Sequence, residues 1–316
     1  MKARRTPELF VLFAFIRNRQ HSALAVAAFV ASAAVAGCGS DTTAVDPLSK
    51  VPDFIYVSNT SGALQLYTWH KGTSTLFPAS VAGDQQPQSA AGKVVFTSYR
   101  VSGLNPEIYI ANIDGSDTVR LTTTTSASAD VEPSLSPNGQ TVVFSSDRSG
   151  TSRIWTVNAD ASSVAALNTG SAATVPESTP RFSPVGDRIL FTSAQSNTSQ
   201  IWIVPAAGGA ATQVTHEVNG AFEGSWGPDG DVIFYVDGTD RTKIHKVVVS
   251  TGVVTDYVTN GTDVGNQDCT NALCLVTTHA TSSGRDIYAY IGVADSVPIP
   301  VVNSSAEEYE PAILHP

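Results

Sequence analysis

The sequence is short of charge, of cysteine and of long apolar runs, and each shortage excludes something. Only 15% of its 316 residues are charged while 42% are hydrophobic, so global disorder is excluded and a large core can form. Acids outnumber bases by 28 to 18, and five of the bases (Lys2, Arg4, Arg5, Arg17, Arg19) fall within residues 1–37. The acidic remainder repels phosphate backbones, so no nucleic-acid partner is expected. Three cysteines, Cys38, Cys269 and Cys274, bring too few ligands together for a zinc site. Neither a G-x-S-x-G nucleophile elbow nor an H-E-x-x-H helix occurs. The histidines (His21, His70, His216, His245, His279, His315) form no close pair. No catalytic residue, metal or cofactor is therefore expected, and the chain does not read as an enzyme.

The longest apolar run, SALAVAAFVASAAVAG over 22–37, follows Arg17 and Arg19. At about sixteen residues it is short for a membrane span and right for the core of a signal peptide. It ends in Val35-Ala36-Gly37-Cys38, which resembles the bacterial lipobox. That resemblance implies a lipoprotein signal peptide over 1–37 and a lipid on Cys38, which becomes the new N-terminus. An ordinary signal peptide, or an anchor with an incidental cysteine, is the plainer alternative. Residues 38–50, small and polar, read as a flexible tether. Gly39 stands where an Asp would, by the Gram-negative sorting rule, retain the protein at the inner membrane. The expected location is the bacterial cell envelope, lipid-anchored, at the outer membrane facing the periplasm or the cell surface. In that oxidising setting Cys269 and Cys274, with four residues between them, are candidates for a disulfide across a hairpin; two reduced thiols are the alternative.

What the sequence does have is an internal repeat. An aliphatic residue followed by a ring residue recurs as Leu66-Tyr67, Ile108-Tyr109, Ile154-Trp155, Ile201-Trp202, Ile244-His245 and Ile287-Tyr288, at steps of 42, 46, 47, 43 and 43 residues. Ahead of each pair stands a β-type run: FIYVS (54–58), VVFTS (94–98), VVFSS (142–146), ILFTS (189–193), VIFYV (232–236) and CLVTT (274–278). Turn sequences precede several of these, as in Ser136-Pro137-Asn138-Gly139, Ser183-Pro184-Val185-Gly186 and Gly227-Pro228-Asp229-Gly230. In the third copy, strands are expected near Glu132–Leu135, Thr141–Ser145, Arg153–Val157 and Val164–Leu167. Four short strands recurring roughly every 45 residues predict a propeller blade. The β-branched runs and frequent Pro and Gly exclude a helical repeat. The expected fold is all-β: a six-bladed propeller of four-stranded antiparallel blades over 51–316. Glu310-Pro311-Ala312-Ile313-Leu314 matches Glu132-Pro133-Ser134-Leu135, so the C-terminal strand is expected to complete the first blade and close the ring.

The third copy, EPSLSPNGQTVVFSSDRSGTSRIW, resembles the TolB-like propeller repeat, and the fourth, TPRFSPVGDRILFTSAQSNTSQIW, keeps its frame without the Asp-Arg. The resemblance implies a propeller. That family's separate α/β domain has no counterpart here, so the resemblance does not imply its role in the Tol–Pal system. The strand aromatics (Tyr109, Trp155, Trp202, Tyr288) are expected to pack between blades, and Asp147-Arg148 to fix a turn.

One pattern points to a surface. Asp130, Glu132, Glu177, Glu223, Asp268 and Glu310 stand at the starts of successive first strands, with Glu307 and Glu308 beside the last. Such connections line one mouth of a propeller's channel, where an acidic ring attracts a cation or a basic peptide of a partner. Acids that only cap turns are the alternative. The leading expectation is a protein-interaction scaffold with an envelope protein partner and a membrane contact through the lipid. A carbohydrate or small-ligand binding propeller comes second. A metal-assisted polysaccharide lyase or hydrolase, with His70, His216 and His279 converging as in lyases of similar repeat, comes third.

Overall fold

Every blade-forming run expected from the repeat becomes a strand, and its residues of described burial are buried. The computed structural model describes residues 46–123, 127–258, 263–269, 273–281, 284–292 and 297–315. The expected signal peptide, Cys38 and the first part of the tether lie outside the described residues. Residues 46–50, expected as tether, form a 3₁₀ turn (Pro47–Lys50) capped by Asp46, whose Oδ1 accepts the Leu48 amide at 3.0 Å. The adjoining Val51 is buried, and Leu48 packs on the core.

Blade 1 contains β1 (Phe54–Ser58), β2 (Gln65–His70) and β3 (Thr73–Leu76). Blade 2 contains β4 (Asp84–Ala90), β5 (Lys93–Ser98), β6 (Glu107–Asn112) and β7 (Val119–Arg120). Blade 3 contains β8 (Asp130–Leu135), β9 (Thr141–Ser146), β10 (Arg153–Asn158) and β11 (Ala165–Ala166). Blade 4 contains β12 (Glu177–Phe182), β13 (Arg188–Ser193), β14 (Gln200–Pro205) and β15 (Thr212–Gln213). Blade 5 contains β16 (Ala221–Trp226), β17 (Val232–Asp237), β18 (Ile244–Val248) and β19 (Val253–Val258). Blade 6 contains β20 (Gly265–Cys269), β21 (Leu273–Thr281), β22 (Gly284–Ile291) and β23 (Ile299–Val302). The last strand, β24 (Glu308–Ile313), pairs with β1 in the register Phe54↔Ile313 and Ser58↔Glu308. It is the inner strand of blade 1, so all six sheets have four antiparallel strands and the ring is closed as expected. The inner strands touch in the order β24, β4, β8, β12, β16, β20 and back to β24. Among the described residues no helix is long and apolar enough to cross a membrane.

The second strand of each blade explains the unbroken apolar runs. In β9, Val142 and Phe144 face blade 2 while Val143 faces blade 4, so both sides of the strand meet apolar neighbours. Each of the six core clusters spans one blade interface, from blades 1 and 2 (Ile55, Leu66, Val94, Phe96) to blades 6 and 1 (Leu275, Ile287, Phe54, Trp69). The repeat aromatics pack into these seams: Tyr109 between blades 1 and 2, Trp155 between 2 and 3, Trp202 between 3 and 4, and Tyr288 between 5 and 6. The hairpin after β8 closes through Gly139, at φ 71°, whose amide donates to the Ser136 carbonyl at 2.8 Å. A side chain there would face the left-handed penalty that glycine escapes. Cys269 and Cys274 face each other across β20 and β21 and are joined in a disulfide, both buried.

Arg148 does more than fix a turn. It pairs with the buried Asp130 at the start of β8 and lies over Phe144 and Trp155, 5.4 and 5.0 Å from the ring centres. Arg100 repeats this arrangement in blade 2 with Asp84, at 2.8 Å, over Phe96 and Tyr109.

Candidate functional site

Each inner strand carries the same irregularity. Its pairing skips two residues, and the first of them has a positive φ: Gln86 (54°), Glu132 (58°), Thr179 (51°), Glu223 (55°), Asn266 (45°) and Glu310 (51°). This is a bulge, which leaves one amide out of the ladder. The next residue is Pro87, Pro133, Pro180 or Pro311 in four of the six blades. A proline costs nothing there, because the skipped position has no ladder bond to lose.

Four of the six orphaned amides are taken up by the neighbouring blade. The Gln86 amide donates to Glu310 Oε2 at 2.7 Å, Glu132 to Gln86 Oε1 at 2.9 Å, Thr179 to Glu132 Oε2 at 2.7 Å, and Asn266 to Glu223 Oε2 at 2.6 Å. Side chain thus caps bulge at four of the six blade junctions around the channel. Glu132 also accepts the Ser145 hydroxyl at 2.8 Å, and Glu223 is paired with Arg241 at 3.1 Å.

These residues form the floor of a cavity of about 540 Å³ in the central channel, lined from all six inner strands. Its walls run toward the hairpins that follow those strands, and Ala91, Pro137, Pro184, Pro228 and His315 belong to the lining. The mouth is therefore at the hairpin end. Sequence reasoning put it at the opposite end, beside the connections that lead into the inner strands. Of the six acids expected at a mouth, the structure brings Glu132, Glu223, Asp268 and Glu310 into the cavity. Asp130 and Glu177 are not part of it. Asp130 is held by Arg148, and Glu177 by Arg153 at 3.1 Å, both carboxylates being fully buried.

Sequence reasoning missed Arg181. It sits two residues beyond Thr179 on β12 and lines the cavity, and its guanidinium makes one hydrogen bond among the described residues, from Nη1 to the Pro180 carbonyl at 2.9 Å. Burial lowers its pKa, against the opposing pull of Glu132, Glu310 and Asp268. Burial pushes Glu310 up to about 7, while the Gln86 amide and Arg181 favour its charged form. Asp268 is raised by burial as well, although its Oδ2 accepts the Ile313 amide at 2.8 Å. Ser225 and Gln267 also belong to the lining. They are 9% and 6% exposed, and Ser225 Oγ and Gln267 Oε1 are themselves buried, with no hydrogen-bond partner among the described residues.

The histidines do not gather there. His70 Nδ1 is 2.7 Å from Asp53 Oδ2 on blade 1, and His216 meets Gln213 at 3.1 Å on blade 4. Neither lines the central cavity, and the side chain of His279 lies outside the described residues. Among the described residues no three His, Cys, Asp or Glu side chains are placed to hold a metal ion.

Comparison with known proteins agrees with this architecture. The TolB beta propeller domain matches residues 86–179. No curated protein matches the sequence. Among solved structures the chain is similar to TolB from Acinetobacter baumannii, with a TM-score of 0.67 and 17% identity over 84% of this chain and 67% of that one. It is similar to a chain of a nidogen/laminin complex, with a TM-score of 0.61 and 13% identity over 82% and 97%. A puromycin hydrolase is similar with a TM-score of 0.53 and 13% identity, over 78% of this chain and 43% of that one. At these identities the likeness is one of fold.

Proposed function

We propose that this chain, whose propeller is TolB-like in its repeats and its fold, is a non-catalytic lipoprotein of the bacterial cell envelope that binds a protein partner through its channel. The observation that carries this reading is the cavity: a pocket in the channel, lined from all six inner strands and carrying four carboxylates. A low-dielectric cleft lined mainly by one sign of charge concentrates ligands of the other sign, here a basic segment of the partner or a cation. The lipobox-like sequence ending at Cys38 supports attachment to the membrane, with the outer membrane as the proposed site.

The test is affinity capture from detergent-solubilised envelopes. The charge is removed without removing the caps by Glu132→Gln, Glu223→Gln and Glu310→Gln together. Gln86 already fills the same capping place in blade 2, so an amide oxygen serves there as well as a carboxylate does. The native protein is expected to retain a stoichiometric envelope partner, and the triple variant to lose it while unfolding at a similar temperature. Equal capture by both would remove the channel from the interaction. Cys38→Ala is expected to release the protein from the membrane fraction, and continued membrane association would reject the lipid anchor.

A further inference from the structure

Arg181 changes what the cavity complements. Arg100, Arg120, Arg148, Arg153, Arg188 and Arg241 each have a carboxylate within 4.0 Å. Among the described residues Arg181 has none that close, although Glu132, Glu310 and Asp268 are near enough to act on it electrostatically. Its strand β12 belongs to blade 4, and Glu310 lies on β24 of blade 1, the opposite wall of a six-membered ring. Asp268 is on blade 6, next to Glu310. Arg181 is thus flanked by Glu132 on blade 3 and Glu223 on blade 5, and faces Glu310 and Asp268 across the cavity. A bare cation engages the carboxylates alone and leaves Arg181 without a counterpart.

We infer that the cavity takes a zwitterion of amino-acid to short-peptide size, its carboxylate on Arg181 and its ammonium on the Glu310 and Asp268 side. About 540 Å³ is within the range of small-ligand pockets. Deprotonating Glu310 completes the anionic wall, so ammonium binding strengthens as pH rises through about 7. The inference rests on the channel being the binding face, as proposed above, and gives that face a ligand class.

Calorimetric titration of the full propeller at pH 8 with alanine, dialanine and trialanine tests it. At least one is expected to bind, and the tightest is then compared with its N-acetylated and C-amidated forms. Each cap is expected to weaken binding at least tenfold. In Arg181→Met the amidated and free forms are expected to bind alike, and in Glu310→Gln the acetylated and free forms. An amidated form that binds the native protein as well as the free acid, an Arg181→Met variant with native affinity, or no heat from any of the three compounds would overturn the inference. The envelope capture above separates the two failures. If a partner is captured through the channel while no zwitterion binds, the scaffold reading stands alone. The Arg181→Met variant should unfold at the native temperature, because the strand's tie to blade 5 runs through the Arg181 carbonyl, which accepts Trp226 Nε1 at 3.1 Å.

Discussion

The seam where the last strand closes the ring should be pH-sensitive, and Glu308 is the reason. The residue that begins the inner strand is Asp84, Asp130 and Glu177 in blades 2, 3 and 4, and each carboxylate is paired with an arginine. Glu308 holds that place in blade 1, but its carboxyl meets the Asp286 carboxyl of blade 6 instead. Both residues are buried, 1% and 2% exposed. Ser304 Oγ donates to Glu308 Oε1 at 2.6 Å and Ser58 Oγ at 3.4 Å, and the Ser304 amide donates to Asp286 Oδ1 at 3.3 Å. Glu307 adds a further negative charge beside Asp286. Two buried carboxyls in contact cannot both ionise cheaply, so one keeps a proton. Burial, with Asp286 adding to it, pushes Glu308 from 4.5 up to about 7, against the lowering effect of Ser304.

The sign follows from linkage. The folded state holds a proton that the unfolded Glu308 has lost, so stability falls as pH rises from 4.5 to about 7 and is level above that. A displacement of that size corresponds to about 3 kcal/mol, a large part of the roughly 5–15 kcal/mol that holds a domain together. Glu308→Gln removes the titration and keeps both an acceptor for Ser304 and a donor for Asp286. Urea unfolding of native and variant protein at pH 5, 6, 7 and 8 measures the gap between them. The gap should move in the variant's favour by roughly 3 kcal/mol between pH 5 and pH 8. Asp286→Asn should behave alike, and the double variant should gain no more than either alone. A gap independent of pH would show that the pair holds no shared proton, and the reasoning would fail.

Two other expectations concern stability alone. Arg148→Met strands the fully buried Asp130 carboxylate and removes the cation from Phe144 and Trp155; a loss of about 3 kcal/mol in urea unfolding is expected. A loss below about 1 kcal/mol would mean that Asp130 is satisfied by Ser146, whose hydroxyl donates to it at 2.6 Å. Cys269→Ala with Cys274→Ala opens a loop of sequence separation 5, and the chain-entropy argument gives about 2 kcal/mol for so short a closure. Equal denaturant midpoints for the native protein and the double variant would show that the crosslink contributes nothing to the ring.

The blades were legible because each second strand is packed on both faces, which writes continuous runs such as VVFSS into the sequence. The turns were legible because a left-handed residue selects glycine at Gly139, Gly186 and Gly230. The site was only half legible. Asp130 and Glu132 are two residues apart, and in a regular strand they would share a face. The bulge at Glu132 breaks that alternation, so one carboxylate goes into an ion pair between strands and the other into the channel. Side-chain patterning carries no sign of a bulge. The prolines after Gln86, Glu132, Thr179 and Glu310 do carry one, since an inner strand tolerates them only where pairing is already skipped. The same signal would have separated the channel residues from the ion pairs and placed the mouth at the hairpin end.

A six-fold repeat also supplies its own controls. A residue type that recurs at one place in the blade is there for the blade, as the capping chain from Glu310 to Gln86 to Glu132 to Thr179 shows. A residue that its equivalents do not share must be explained by something outside the blade. At the place of Arg181 the other blades have Gln88, Ser134, Ser225, Asp268 and Ala312. Ser134 receives the Phe182 amide of the next blade at 3.1 Å and Asp268 the Ile313 amide at 2.8 Å, so the place has a structural use that needs an acceptor. Arg181 is no acceptor, and its guanidinium gives up that use. Identical charges around a ring produce a field along the axis and nothing across it. One arginine facing Glu310 and Asp268 sets a direction across the channel, and only a ligand with two unlike ends can take advantage of that direction.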